Sequence, residues 1–143
     1  MNSGGSDVSE SAGQEGRKLT VMVVDDSRTI RSTAETLLGK EGFSVVTAED
    51  GFDALAKIAE TPPDIVFVDI MMPRLDGYQT CTLIKSNPKY RKIPVILLSS
   101  RDGVFDRARG KLAGSEHYLG KPFSRDELVE VVRRHVAPQA GGD

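Results

Sequence analysis

Five short apolar runs are strung along the chain, and each is followed by a segment with helical spacing. The runs are LTVMVV (19–24), FSVVTA (43–48), DIVFVD (64–69), IPVILLS (93–99) and EHYLG (116–120). Most are apolar at consecutive positions, which suits strands covered on both faces. After the first run, Ile30, Ala34, Leu37 and Leu38 recur at helical spacing within 27–42, with Ser27 as N-cap and Gly39 or Gly42 as the stop. Asp50 opens the second helix, which turns Phe52, Leu55, Ala56 and Ile58 inward. The third spans Tyr78 to Lys85 and ends at Asn87-Pro88. The fourth, Asp102 to Ala113, is weakened by Gly103 and Gly110. Ser124 opens the fifth with a capping box to Glu127, and Leu128, Val131 and Val132 face inward. Strand and helix in strict alternation predict a five-stranded parallel sheet with right-handed crossovers, an α/β doubly wound (βα)5 three-layer sandwich.

Composition narrows what such a fold can be used for. With 143 residues the chain is the size of one domain, assigned to 18–137. Residues 1–17 (MNSGGSDVSESAGQEGR) and 138–143 hold too few apolar groups to offset the entropy of ordering, and are read as disordered tails. After the last helix no output domain is expected. A net charge of −2 gives no electrostatic reason to bind nucleic acid. No apolar stretch approaches the roughly 18 residues of a membrane span. The N-terminus lacks the pattern of a signal peptide, so a cytoplasmic protein without membrane insertion is expected. The single cysteine, Cys81, excludes a disulfide framework and a cysteine zinc site, and reads as a small packing residue.

In a doubly wound sheet the ligand site lies at the carboxyl ends of the strands. The first run ends in Asp25-Asp26, the third in Asp69 and the fourth in Ser99, and the fifth is followed by Lys121-Pro122. Any one acid here is most simply a helix cap or turn former, and Asp50, Asp64, Asp76 and Asp102 are read that way. Three carboxylates, a hydroxyl and an ammonium on one edge call for more. Crowded acids raise one another's pKa, and a hard divalent cation relieves the repulsion. An oxygen-only donor set suits Mg²⁺, with Mn²⁺ as the alternative. Asp69 is then placed to attack phosphorus as a nucleophile, with Lys121 and Ser99 meeting charge on the transferring group.

The stretches VVDDS (23–27), VFVDIMMPRLDGYQ (66–79), PVILLSS (94–100) and YLGKPF (118–123) together resemble a response-regulator receiver domain of two-component signalling. The resemblance covers essentially all of 19–136 and implies a flavodoxin-like fold. It implies that Asp69 is the phosphoacceptor. Mg²⁺ would be held by Asp26, Asp69 and the backbone carbonyl of Met71, with Asp25 helping directly or through water. Ser99 would reach the phosphoryl group after a short inward movement, and Lys121 would pair with a phosphoryl oxygen. Tyr118 would be the switch aromatic, and Lys121-Pro122 a cis peptide. DGFDALAKIAE, VDIMMPRLDGYQTC and LLSSRDG are similar to the stand-alone receiver of the type IV pilus, or twitching-motility, chemosensory system. That implies a bacterial protein, a hybrid chemotaxis-type histidine kinase as phosphodonor, and a downstream protein of the pilus machinery. The partner would meet the fourth helix, fifth strand and fifth helix, about 102–136. The expected state is a monomer, with at most a weak dimer.

Two expectations go further. Met71 and Arg101, each two residues past a site residue, flank the path of attacking water, and Met71, apolar and bulky, offers no acid or amide to position that water, so slow self-hydrolysis is expected. The glycines of the fourth helix make it the least protected, and Gly110→Ala should rigidify it. The rival readings are distinct. A haloacid-dehalogenase-type phosphohydrolase needs a second Asp where Met71 stands. A flavodoxin needs a hydroxyl-rich phosphate loop where Asp25-Asp26 stand. A phosphorylation-independent scaffold is disfavoured because every phosphorylation position is filled. His117 is expected to face solvent on an edge strand. His135 suits the C-terminal end of its helix. Arg107, Arg109 and Lys111 read first as a solvated face.

Overall fold

The computed structural model describes residues 18–100 and 105–136; both expected tails and Arg101 to Val104 lie outside the described residues. The elements in chain order are β1 (Thr20–Val24), α1 (Arg28–Lys40), β2 (Ser44–Ala48), α2 (Gly51–Glu60), β3 (Ile65–Asp69), α3 (Gly77–Ser86), β4 (Val95–Ser100), α4 (Arg107–Ala113), β5 (His117–Lys121) and α5 (Arg125–His135). The sheet order is β2-β1-β3-β4-β5 and every pairing is parallel.

The strands divide their residues between two cores by simple alternation. Met22, Val24, Val66, Val68, Val95 and Leu97 pack on one face with Ala54, Ile58, Cys81 and Ile84 of α2 and α3. Val21, Val23, Ile65, Phe67, Ile96 and Leu98 pack on the other with Ala34 and Leu38 of α1 and Leu128, Val131 and Val132 of α5. All five residues of β3 are buried, as the central position of this strand demands. Among the described residues no helix is long and apolar enough to cross a membrane.

Local chemistry sets the boundaries. Ser27, Asp50, Asp76, Asp106 and Ser124 each cap a helix by accepting a backbone N–H, and at Asp76 and Ser124 the capping box closes with Gln79 and Glu127. Asp64 accepts the Thr20 N–H at 2.7 Å. The helix α1 runs through Gly39, and it is Gly42, with φ 90°, that turns the chain out.

Five expectations need correction. The fourth helix starts at Arg107, because Asp106 has extended backbone and caps it; Asp102 and Gly103 lie outside the described residues. On α2 the inward face is Ala54, Leu55 and Ile58, while Phe52 and Ala56 point outward. Strand β4 begins after Pro94, whose ring nitrogen has no proton for the ladder, and β5 extends through Lys121 itself. His117 is on the edge strand but half-buried, its ring stacked on that of His135 with centroids 5.6 Å apart.

Candidate functional site

The carboxyl ends of β1 and β3 are neighbours, so the residues that follow them are brought together by the sheet. Asp25 continues β1 for one more step, its N–H donating to the Ala48 carbonyl at 3.1 Å. Asp69 closes β3, opposite Leu98 of β4. Asp25 is 0% and Asp69 3% exposed, while Asp26 faces solvent. One carboxylate oxygen from each of Asp25, Asp26 and Asp69 lies within 4.8 Å of the others. Three hard oxygen donors at that spacing could hold a metal ion.

Lys121 arrives from the far edge of the sheet. Its Nζ donates to Asp25 Oδ2 and to Asp69 Oδ1, both at 3.1 Å. The other oxygen of Asp25, Oδ1, accepts the Ser27 N–H at 2.9 Å, and Arg31 Nη1 donates to the Asp25 carbonyl at 2.7 Å. The site therefore holds its buried carboxylates with one ammonium, and Asp25 also with the Ser27 amide at the start of α1.

The charges are not balanced. Burial first, and then the charge of Asp25, push the Asp69 carboxyl above its ordinary pKa of 3.8; the Lys121 ammonium and the Met71 N–H pull it back only in part. Burial alone would lower Lys121, but the hydrogen bond and charge of Asp25, followed by Asp69, overcome it and leave the ammonium above 10.5. An anion-rich site with one cation favours a second cation. Crowding of acids, the expected cause, comes second to burial.

The loop after Asp69 is shaped by a close approach. Gly77 N–H donates to the Ile70 carbonyl at 2.9 Å, and a Cβ on residue 77 would strike the Asp69 carbonyl oxygen and come within 2.7 Å of Ile70 Cα. Only glycine lets α3 start there. Met71 turns its side chain out, 69% exposed, and gives its N–H to the Asp69 carboxylate. Arg101, named with Met71 for the water path, lies outside the described residues.

Ser99 is half-buried, opposite Gly120 of β5. Its Oγ donates to the Ser100 carbonyl at 3.4 Å, and among the described residues it makes no hydrogen bond to Asp69 or Lys121. Tyr118 is 36% exposed; its hydroxyl accepts from Arg107 Nη2 at 3.0 Å. The Lys121–Pro122 peptide is cis.

Sequence reasoning missed Phe105. Its ring stacks on Tyr118 with centroids 4.1 Å apart and on Tyr78 of α3 at 6.3 Å. The Tyr78 hydroxyl in turn accepts the Asp106 N–H at 2.8 Å. Three aromatics from α3, the β4–α4 connection and β5 thus form one stack, with Tyr118 at its outer end. The signal was an aromatic standing just ahead of a capping Asp, hidden by extending the helix back over it.

Known proteins resemble this chain in sequence and fold. The family model described as "Response regulator receiver domain" matches residues 21–133. Protein PilG of Pseudomonas aeruginosa is 63% identical over 123 residues, covering 86% of this chain and 91% of PilG. The solved structure of the Vibrio cholerae chemotaxis protein CheY4 is 30% identical with a TM-score of 0.78, covering 82% of this chain and 98% of that one. The receiver domain of sensor histidine kinase PA1611 from Pseudomonas aeruginosa, solved with a magnesium ion coordinated in its active-site cleft, is 28% identical with a TM-score of 0.77, covering 85% of this chain and all of that one. Sheet order, buried acids and these likenesses agree: the chain belongs to the response regulator receiver domain family.

Proposed function

We propose that the protein is a phosphorylation-driven response regulator in which Asp69 accepts a phosphoryl group from a histidine kinase. The observation that carries this reading is the buried Asp69 carboxylate, held 3.1 Å from the Lys121 ammonium and grouped with Asp25 and Asp26. An oxygen of Asp69 attacks phosphorus, the phosphorus–nitrogen bond of the donor phosphohistidine breaks, and its electron pair returns to the imidazole. The product is an acyl phosphate. Lys121 turns from the carboxylates to a phosphoryl oxygen, and Ser99 rotates from the Ser100 carbonyl to another.

The donor set fits a hard cation: oxygen atoms only, two of the three acids buried, and one ammonium for all of them. Asp26 and Asp69 with the Met71 carbonyl would hold Mg²⁺, and Asp25 would orient its water or join it; Mn²⁺ would serve in its place. When bound, Mg²⁺ supplies charge neutralisation between the acids and the incoming phosphoryl oxygens. Asp69 itself remains the nucleophile.

Likeness to PilG supports a place in type IV pilus, twitching-motility signalling, with a hybrid chemotaxis-type kinase as donor. Output passes through α4, β5 and α5, where Tyr118 sits, to a protein partner in the cytoplasm. Met71, apolar beside the site and unable to orient water, makes the acyl phosphate long-lived. Intact mass after incubation with acetyl phosphate tests the reading. An adduct that needs both Mg²⁺ and Asp69, and is lost in Asp69→Asn, is expected. No adduct, with acetyl phosphate or with a phosphorylated histidine kinase, overturns it in favour of a scaffold.

A further inference from the structure

The connection from β3 to α3 is closed at its base by the Gly77–Ile70 hydrogen bond and strained at its tip. Arg74 has φ 68°, and Leu75 N–H donates to the Pro73 carbonyl at 2.7 Å. This is a γ-turn of the positive-φ kind, the rare and strained form. An L residue with a long side chain avoids that conformation, and glycine adopts it freely. A non-glycine residue keeps it when its surroundings hold it there.

Two contacts hold Arg74. Its Nη2 donates to Asp50 Oδ2 at 2.8 Å, and its guanidinium carbon lies 5.3 Å from the centroid of the Phe52 ring. The other oxygen of Asp50, Oδ1, accepts the Asp53 N–H at 2.7 Å and caps α2. One carboxylate therefore fastens the start of α2 with one oxygen and the tip of the loop with the other. This also explains why Phe52 points outward, 52% exposed: its ring faces the guanidinium.

Met71 lies in the same loop, between Asp69 and the γ-turn, with its backbone against the Asp69 carboxylate and its side chain outward. We propose that Arg74 is a positioning residue for the cation site: by tying the loop tip to Asp50 and Phe52 of the α2 start, it sets the orientation of the Met71 backbone beside Asp26 and Asp69. The proposal rests on the Mg²⁺ reading of the site. Arg74 touches neither metal nor phosphoryl group. Its effect passes through the loop, as partners beyond the ligands commonly do.

Calorimetric titration of the full unphosphorylated chain with Mg²⁺ at pH 7 tests this. Arg74→Gly should weaken Mg²⁺ binding about tenfold or more, with Arg74→Lys in between. Because glycine accepts the turn without strain, melting temperature should not fall in step. Asp50→Asn keeps the helix cap but loses the ion pair, and should weaken binding similarly. The double variant should be no worse than either single change. A plain charge effect has a different signature: loss of a cation would tighten Mg²⁺ and loss of an anion would loosen it. Both changes weakening binding supports the tether; Arg74→Gly binding as tightly as wild type, or more tightly, overturns it. Wild type that takes up no Mg²⁺, even at millimolar concentration, overturns the metal reading and this proposal with it.

Discussion

Lys121 Nζ donates to Asp69 Oδ1 at 3.1 Å and to Asp25 Oδ2 at the same distance, so one ammonium from the last strand compensates two buried carboxylates from the first and third. Replacing it leaves both acids without a cation. Lys121→Met should destabilise the protein in the absence of divalent cations by about 3 kcal/mol, as expected when one partner of a buried pair is removed. Urea unfolding with and without Mg²⁺ checks this, and Mg²⁺ should recover more stability in the variant than in wild type. The contribution of Lys121 is fully present below its unfolded pKa of 10.5, and is lost as pH rises through the higher folded value.

Asp69 carries the opposite sign. Its carboxyl is raised above 3.8, chiefly by burial, so the folded state binds that proton more readily than the unfolded chain. Ionised Asp69 therefore costs stability at neutral pH, and the cost is relieved as pH falls through the folded pKa toward 3.8. Asp69→Asn should raise the melting temperature at pH 7 in chelator by several degrees, about 4 °C for each kcal/mol recovered. The gain should fade in acid. A scan of melting temperature against pH for both proteins reads this directly.

Two helical glycines should respond oppositely to alanine. At Gly39, in α1, a Cβ meets nothing within 4 Å, so Gly39→Ala should add about 0.5–1 kcal/mol from helix propensity alone. At Gly110, in α4, it would meet the Phe105 ring at 3.0 Å and Ser115 Oγ at 3.3 Å. The expectation that Gly110→Ala rigidifies α4 is therefore replaced. Alanine there should push Phe105 off Tyr118 and loosen α4, measurable as faster amide exchange at 107–113.

Cys81 should be inert while the protein is folded. Burial pushes its thiol up to about 12, and its Sγ donates to the Ala113 carbonyl at 3.3 Å. Thiolate is the reactive form, so alkylation by iodoacetamide at pH 8 should follow global unfolding. Labelling followed by mass spectrometry, across a urea series, checks this.

The strands and four of the five capping residues were legible because each depends on local pattern: apolar runs, a polar residue ahead of helical spacing, short connections; Asp106 was passed over because the fourth helix was carried back to Asp102. Asp25, Asp26, Asp69 and Lys121 were legible because a parallel sheet gathers strand ends on one edge. Phe105 and Phe52 were not. Phe52 was assigned by helical spacing and Phe105 was covered by a helix drawn too far back, yet each answers to a partner elsewhere in the fold: Phe105 to rings on α3 and β5, Phe52 to a guanidinium on the β3–α3 loop. Arg74 escaped notice because nothing in its local sequence marks a positive φ on an arginine.

The ion pair between Lys121 and Asp25 joins residues 96 positions apart, with two strands of the sheet between them. During synthesis the three acids emerge first and their ammonium 52 residues after Asp69, a delay of about 3–10 s at ordinary translation rates. A nascent or truncated chain thus carries the acids without their counter-charge. The complete set of charges at the proposed phosphoryl site therefore arrives only with the edge strand, and a half-made copy lacks it.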